Sequence, residues 1–267
     1  MKHITSKENP IYKRTRKLLK RKGRDGLGLY LLEGVKPVED ALRLKVEIED
    51  IFLRYSNYEE GNISSDLLER GERMILLDDD LFDSISETES TQGVIAVIRK
   101  KAYKTEDIAS LLGERIDYQR PRSMIILDRL QDPGNIGTII RTAEAAGMAA
   151  VVVMPGTGDV FSPKTVRAAA GSIMRMPIIP MKDEEQVSTL LHEAGLKLVV
   201  TALEEASDYR EVDLRPCGIV IGNEGQGVSL RFMELSDVKV KIPMEGEIES
   251  LNAAVAAGIL MYAAERV

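Results

Sequence analysis

Three stretches of this sequence carry polar side chains at spacings suited to chemistry on a bound substrate. The first is DPGNIGTIIRTAEAAG, residues 132–147, where Pro133 and Gly134 predict a turn, Asn135 is placed to cap a helix, and Arg141 follows six residues later. The second is GIVIGNEGQGVS, residues 218–229, with Glu224 set among glycines that let backbone approach a ligand. The order G-x-x-G-x-G is neither the dinucleotide fingerprint nor the phosphate loop with its lysine and hydroxyl. The third is KIPMEGEIESLNAAVAAGILMYAAER, residues 241–266, with Ser250 and Asn252 at the start of a final helix, where they can cap its amides or bond a substrate hydroxyl. Taken singly, each stretch also reads as a cap, a turn or a solvated face.

The elements that must position these residues alternate between strand and helix. LYLLEG, IEDIFLRY, ERMILL and GVIAVIRK read as strands of a first α/β unit, with VKPVEDALRLK, SSDLLERG and DDDLFDSIS as its helices. Val35, Val38, Leu42 and the Lys45 stem are expected to share one helix face. From Ser123 onward, MIILDRL, AAVVVM, LKLVVTAL, GIVIG and VKVKIP are strands with near-continuous branched aliphatics, separated by helices. That pattern predicts a mostly parallel sheet covered on both faces, with ligands bound at the carboxyl ends of its strands. The expected organisation is a basic arm or helix over 1–24, a small α/β domain over 25–100, a linker over 101–121 and a second α/β domain over 122–267.

Charge is unevenly divided. The net charge is −7, yet residues 1–24 hold ten Lys and Arg against the single acid Glu8. Lys13, Arg14, Arg16, Lys17, Lys20 and Arg21 are the candidate contacts to nucleic-acid phosphates, while Ile11, Leu18 and Leu19 give the same segment a core-facing stripe. One cysteine, Cys217, and two histidines argue against a disulfide framework and against a metal centre. The basic start is not followed by an apolar signal core and no apolar run is long enough to span a bilayer, so the cytoplasm is expected.

In this order and spacing, the three stretches resemble the signature motifs of the SpoU (TrmH) family of RNA 2′-O-ribose methyltransferases, within the SPOUT superfamily. YLLEGVKPVEDAL resembles the start of the substrate-binding domain that precedes the methyltransferase in many members. The resemblance implies a C-terminal SPOUT domain with a trefoil knot, a homodimer formed through that domain, and S-adenosylmethionine as cofactor. It implies that Thr201, Ala202, Leu203, Gly222, Asn223, Ile242 and Leu251 surround the cofactor, mainly through backbone atoms. Arg141 becomes the central catalytic residue, with Glu224 able to orient it and Asn135, Ser250 and Asn252 fixing the ribose and loop. A guanidinium is a poor base, so stabilising a developing alkoxide and gripping a phosphate is its physically easier role. The expected substrate is structured RNA, ribosomal in preference to transfer RNA. A methyltransferase acting on a nucleobase and a non-catalytic RNA-binding protein are the alternatives.

Overall fold

A computed structural model describes residues 1–267 except 71–72, 89, 104–106, 108–110, 112–122, 249 and 265–267. Most of the linker expected over 101–121 therefore lies outside the described residues. The chain divides into two compact units, Met1–Lys101 with Asp159–Met174, and Ala102–Gly158 with Arg175–Val267. The segment Asp159–Met174, read from sequence as part of the second domain, packs with the first unit.

The first unit contains β1 (Lys2–Ile4), α1 (Pro10–Lys17), α2 (Arg21–Leu27), β2 (Leu29–Glu33), α3 (Val35–Arg43), β3 (Ile48–Arg54), α4 (Tyr55–Glu59), α5 (Ser65–Arg70), β4 (Met74–Leu77), α6 (Asp79–Asp83) and β5 (Val94–Arg99). Its sheet runs β1-β4-β3-β5-β2, with β5 antiparallel to both β2 and β3. Part of the basic segment is thus a strand, β1, paired with β4. Tyr12 of α1 and Leu18 at its C-terminal cap are buried in a cluster with Phe52, Leu77 and Phe82, while Ile11 and Leu19 pack at its border. On α3 the buried face is Val38 and Ala41. Lys45, expected on that face, instead lies beyond the helix end in a left-handed conformation (φ 55°) and is exposed. Arg24 is 4% exposed; its guanidinium bonds the Leu18 carbonyl and the carboxylate of Asp159, which ties the inserted segment into this unit.

The second unit contains β6 (Met124–Leu127), α7 (Pro133–Ala146), β7 (Val151–Val153), β8 (Ile178–Pro180), α9 (Glu184–Glu193), β9 (Lys197–Thr201), β10 (Ser207–Asp208), β11 (Cys217–Ile221), α10 (Leu230–Leu235), β12 (Val238–Lys241) and α11 (Ala253–Ala264), while α8 (Pro163–Ala168) belongs to the inserted segment. The sheet is parallel throughout, in the order β10-β12-β9-β11-β6-β7-β8. Strands β6 and β11 are buried along their whole length, which is why their sequences lack the alternation of a half-exposed strand. The short strand β8 was hidden in the sequence by the prolines at 177 and 180. Helix α11 packs along α7, where Gly258 brings Thr142 Cγ2 to within 3.7 Å of the place a Cβ would occupy.

Candidate active site

The candidate site is built from loops that leave the carboxyl ends of β6, β9, β11 and β12, four neighbouring strands of one parallel sheet. After β6, Asp132 rather than Asn135 caps α7: its carboxylate accepts the Asn135 backbone N–H at 2.8 Å. Pro133 is already the first helical residue, where its missing N–H costs nothing and its fixed φ suits the helix. Because Asp132 does the capping, the Asn135 side chain is left to reach across to the other loops.

After β11 the chain closes on itself, with reciprocal backbone bonds between Asn223 and Gly227 at 3.0 and 2.9 Å. A Cβ at Gly222 would lie 2.2 Å from the Gly227 carbonyl carbon, so only glycine admits this closure. The Asn223 side chain is used within the loop, accepting from the amides of Gly225 and Gln226 and donating to the Arg129 carbonyl. Glu224 points to the first loop. Its carboxylate accepts the backbone amides of Gln131 and Asp132 and the Asn135 side-chain amide, each at 3.2 Å.

Asn252 completes the arrangement from the third loop. Its Nδ2 donates to Asn135 Oδ1 at 2.9 Å, and its own Oδ1 accepts the Ala254 and Val255 amides at the start of α11. Asn252, Asn135 and Glu224, one from each motif, thus form a single hydrogen-bonded chain. Burial opposes the charged form of Glu224, but the donated N–H groups outweigh it and hold its carboxyl below the ordinary value.

Glu224 is not the partner of Arg141. Six helical residues separate Asn135 from Arg141, about 9 Å along the axis and roughly 120° around it. Arg141 is exposed and forms no hydrogen bond or ion pair among the described residues. Ser250 is likewise exposed. Of the expected cofactor residues, Thr201, Ala202, Gly222, Asn223, Ile242 and Leu251 are half-buried and Leu203 is 67% exposed. The Ala202 amide is already bonded to the Val240 carbonyl at 3.0 Å, so it is not free to bond a ligand.

Sequence reasoning missed the support beneath these loops. Asp128, 2% exposed, takes the Arg129 guanidinium in a fork at 3.0 and 3.2 Å and accepts the Ser229 amide at 2.7 Å. Arg129 also reaches the Gly227 carbonyl, and it sits at φ 60°, a conformation a non-glycine residue adopts at a cost of about 1–3 kcal/mol. The signal was present as an acid-base pair directly after a buried strand. In the first unit, Lys13 pairs with Glu8, Arg14 with Asp50 and Glu49, and Arg21 with Asp25. Arg16, Lys17 and Lys20 have no such partner among the described residues.

Comparison with known proteins agrees with this geometry. Residues 122–262 match the SpoU rRNA Methylase family, and residues 9–96 match the MRM3-like substrate binding domain. The chain belongs to the SpoU rRNA methylase family. It is 37% identical over 263 residues, 98% of each chain, to the 23S rRNA (guanosine(2553)-2′-O)-methyltransferase RlmP of Bacillus subtilis. An AdoMet-bound rRNA methyltransferase from Sinorhizobium meliloti superposes with a TM-score of 0.82 at 32% identity, covering 98% of this chain and 96% of the other. The SpoU methyltransferase AviRb from Streptomyces viridochromogenes in complex with AdoMet gives 0.83 at 29% identity, covering 96% and 97%.

Proposed function

We propose that the protein is an S-adenosylmethionine-dependent methyltransferase that modifies a ribose 2′-hydroxyl of structured ribosomal RNA. The observation that carries this reading is the chain Asn252–Asn135–Glu224, which joins the three motif loops at the carboxyl end of the sheet. A 37% identical relative over almost the full length is named as a ribosomal RNA 2′-O-methyltransferase, which favours ribosomal over transfer RNA.

The residues present fit the cofactor. Thr201–Leu203, Gly222–Asn223 and Ile242 end β9, β11 and β12, which lie side by side in the sheet, and Leu251 follows in the third loop. Exposed apolar side chains at Leu203 and Ile248 (67% and 59%) offer a wall for an adenine ring, and backbone carbonyl dipoles with no cationic side chain among these residues suit a sulfonium. When bound, the cofactor supplies an electrophilic methyl group. Asn135, Ser250 and Asn252 hold the ribose in line, and positioning supplies much of the rate. Arg141, which no acid neutralises among the described residues, stabilises negative charge on the 2′-oxygen and grips the neighbouring phosphate, while the phosphate or solvent takes the proton.

The protein works as a homodimer through its second unit. Helix α11 is apolar on all sides, yet Val255 and Tyr262 are each 53% exposed, a surface that a second copy would cover. The trefoil knot belongs to the same reading: β11 inserts between β9 and β6, and α11 returns to pack on α7. Arg16, Lys17 and Lys20, helped by Lys13, Arg14 and Arg21, draw RNA to the first unit. No helix among the described residues is long and apolar enough to cross a membrane; a ribosomal RNA substrate supports a cytoplasmic location.

The test is methyl transfer from labelled S-adenosylmethionine to total RNA lacking this modification, followed by nuclease digestion. A labelled 2′-O-methylnucleoside is expected; a labelled base would overturn the reading.

A further inference from the structure

A cavity of about 240 Å³ lies within the first unit, no motif-loop residue lines it, and the described chemistry does not use it. Its walls are apolar, from Pro37, Ile85, Pro163 and Val166, and it is smaller than the sites that hold drug-sized ligands. One end is held by Glu33 at the close of β2. The Glu33 carboxylate gathers the hydroxyls of Ser86, Thr88 and Thr91 on one oxygen, and the Glu87 amide approaches the other at 3.3 Å. No cation pairs with Glu33 among the described residues.

Other polar groups around the opening keep bonding capacity to spare. Gln92 gives its carbonyl oxygen to the Val35 amide at 2.8 Å, which leaves its Nε2 donor without a partner among the described residues. Glu87 and Arg167 are exposed lining residues that form no ion pair among the described residues. Among the described lining residues, two carboxylates against one guanidinium disfavour an anion such as a phosphate as the occupant. The same set suits a flat, uncharged ring that shows adjacent N–H donors on one edge and acceptors on another. Of the four RNA bases, guanine has that pattern: N1–H and the N2 amino group facing a carboxylate, O6 and N7 facing an arginine. Bases splayed out of single-stranded RNA are recognised on these edges.

We propose that this cavity is a binding site for one unstacked guanine of the substrate RNA, separate from the nucleotide that is methylated, with Glu87 and Arg167 reading its edges. The proposal rests on the RNA-modifying function for its biological meaning, but its first test does not. Full-length protein labelled with ¹⁵N is titrated with guanosine 5′-monophosphate, with uridine 5′-monophosphate and inorganic phosphate as separate controls. Amide shifts confined to Thr88, Gln92 and Val166, seen with the guanine nucleotide alone, are expected. No shift, or equal shifts with uridine monophosphate or phosphate, overturns the proposal even if methyl transfer is confirmed.

The second test measures RNA affinity of Glu87→Gln, Arg167→Ala and Ser90→Trp, all at exposed positions, the last filling the opening. Each is expected to weaken RNA binding roughly tenfold, with the loss appearing in KM for RNA rather than in kcat. Unaltered RNA affinity in all three would overturn the proposal. Absence of methyl transfer by the wild-type protein would count against the proposed function, and the nucleotide titration would still decide the cavity.

Discussion

The basic helices of the first unit and the motif loops of the second both concentrate polar side chains, and they use them in opposite ways. On α1 and α2, acids from near and far in the sequence pair with Lys13, Arg14 and Arg21, so the density of positive charge overstates how many cations are available to phosphates. In the motif loops, Asn135, Glu224 and Asn252 satisfy one another and leave Arg141 without a partner among the described residues. A charge run advertises more than it delivers, whereas three modest motifs amount to more than their separate readings.

The comparison is sharpened most by Arg141→Ala. Methyl transfer should fall by about a hundredfold or more with cofactor affinity little changed, measured by single-turnover kinetics and equilibrium dialysis. Near-normal turnover would remove Arg141 from the chemistry. Next, Asn135→Ala and Asn252→Ala should each reduce the rate, and the double variant should fall short of their sum by about 0.5–3 kcal/mol, because the two side chains share one bond. Strict additivity would show that the hydrogen-bonded chain does not act as a unit.

In the first unit, replacing Arg16, Lys17 and Lys20 by alanine should weaken RNA binding and flatten its salt dependence by roughly 0.7–0.9 per charge removed. Arg14→Ala should instead lower stability by about 1–2 kcal/mol in urea unfolding, because it leaves the buried Asp50 carboxylate unpaired, and solvent around the 38%-exposed Arg14 side chain already screens the pair. If Arg14→Ala weakens RNA binding as much as the triple variant does, the distinction between paired and free cations fails. The smallest effect concerns pH. The Glu224 carboxyl is held below its ordinary value, so its stabilising contribution is present above the ordinary carboxylate range and is lost as pH falls through the lower, folded-state value. Thermal melts of the wild type should therefore decline more steeply on acidification than those of Glu224→Gln.

The parallel sheet was legible because β6, β9 and β11 are buried on both faces and so write continuous aliphatic runs. The motif loops were legible because they follow such strands. What the sequence concealed depends on contacts between distant positions. Asp132 took the cap expected of Asn135, and Glu224 met the amides of Gln131 and Asp132 instead of Arg141, choices that only the folded geometry decides. The Asp128–Arg129 support went unread because an acid beside a base looks like any solvated pair until both are placed under a glycine loop.

The insertion of Asp159–Met174 into the first unit has a temporal meaning. A growing chain that has released its first hundred residues has not yet made Asp159, and Arg24 must wait for that carboxylate while the first two strands of the second sheet, β6 and β7, are synthesised. The N-terminal unit therefore cannot finish first and then stand aside; it is completed only by a segment that arrives from within its neighbour. A cut placed between residues 101 and 124 would not yield two whole units, because one product would lack the strap that closes it and the other would carry that strap with nothing to close.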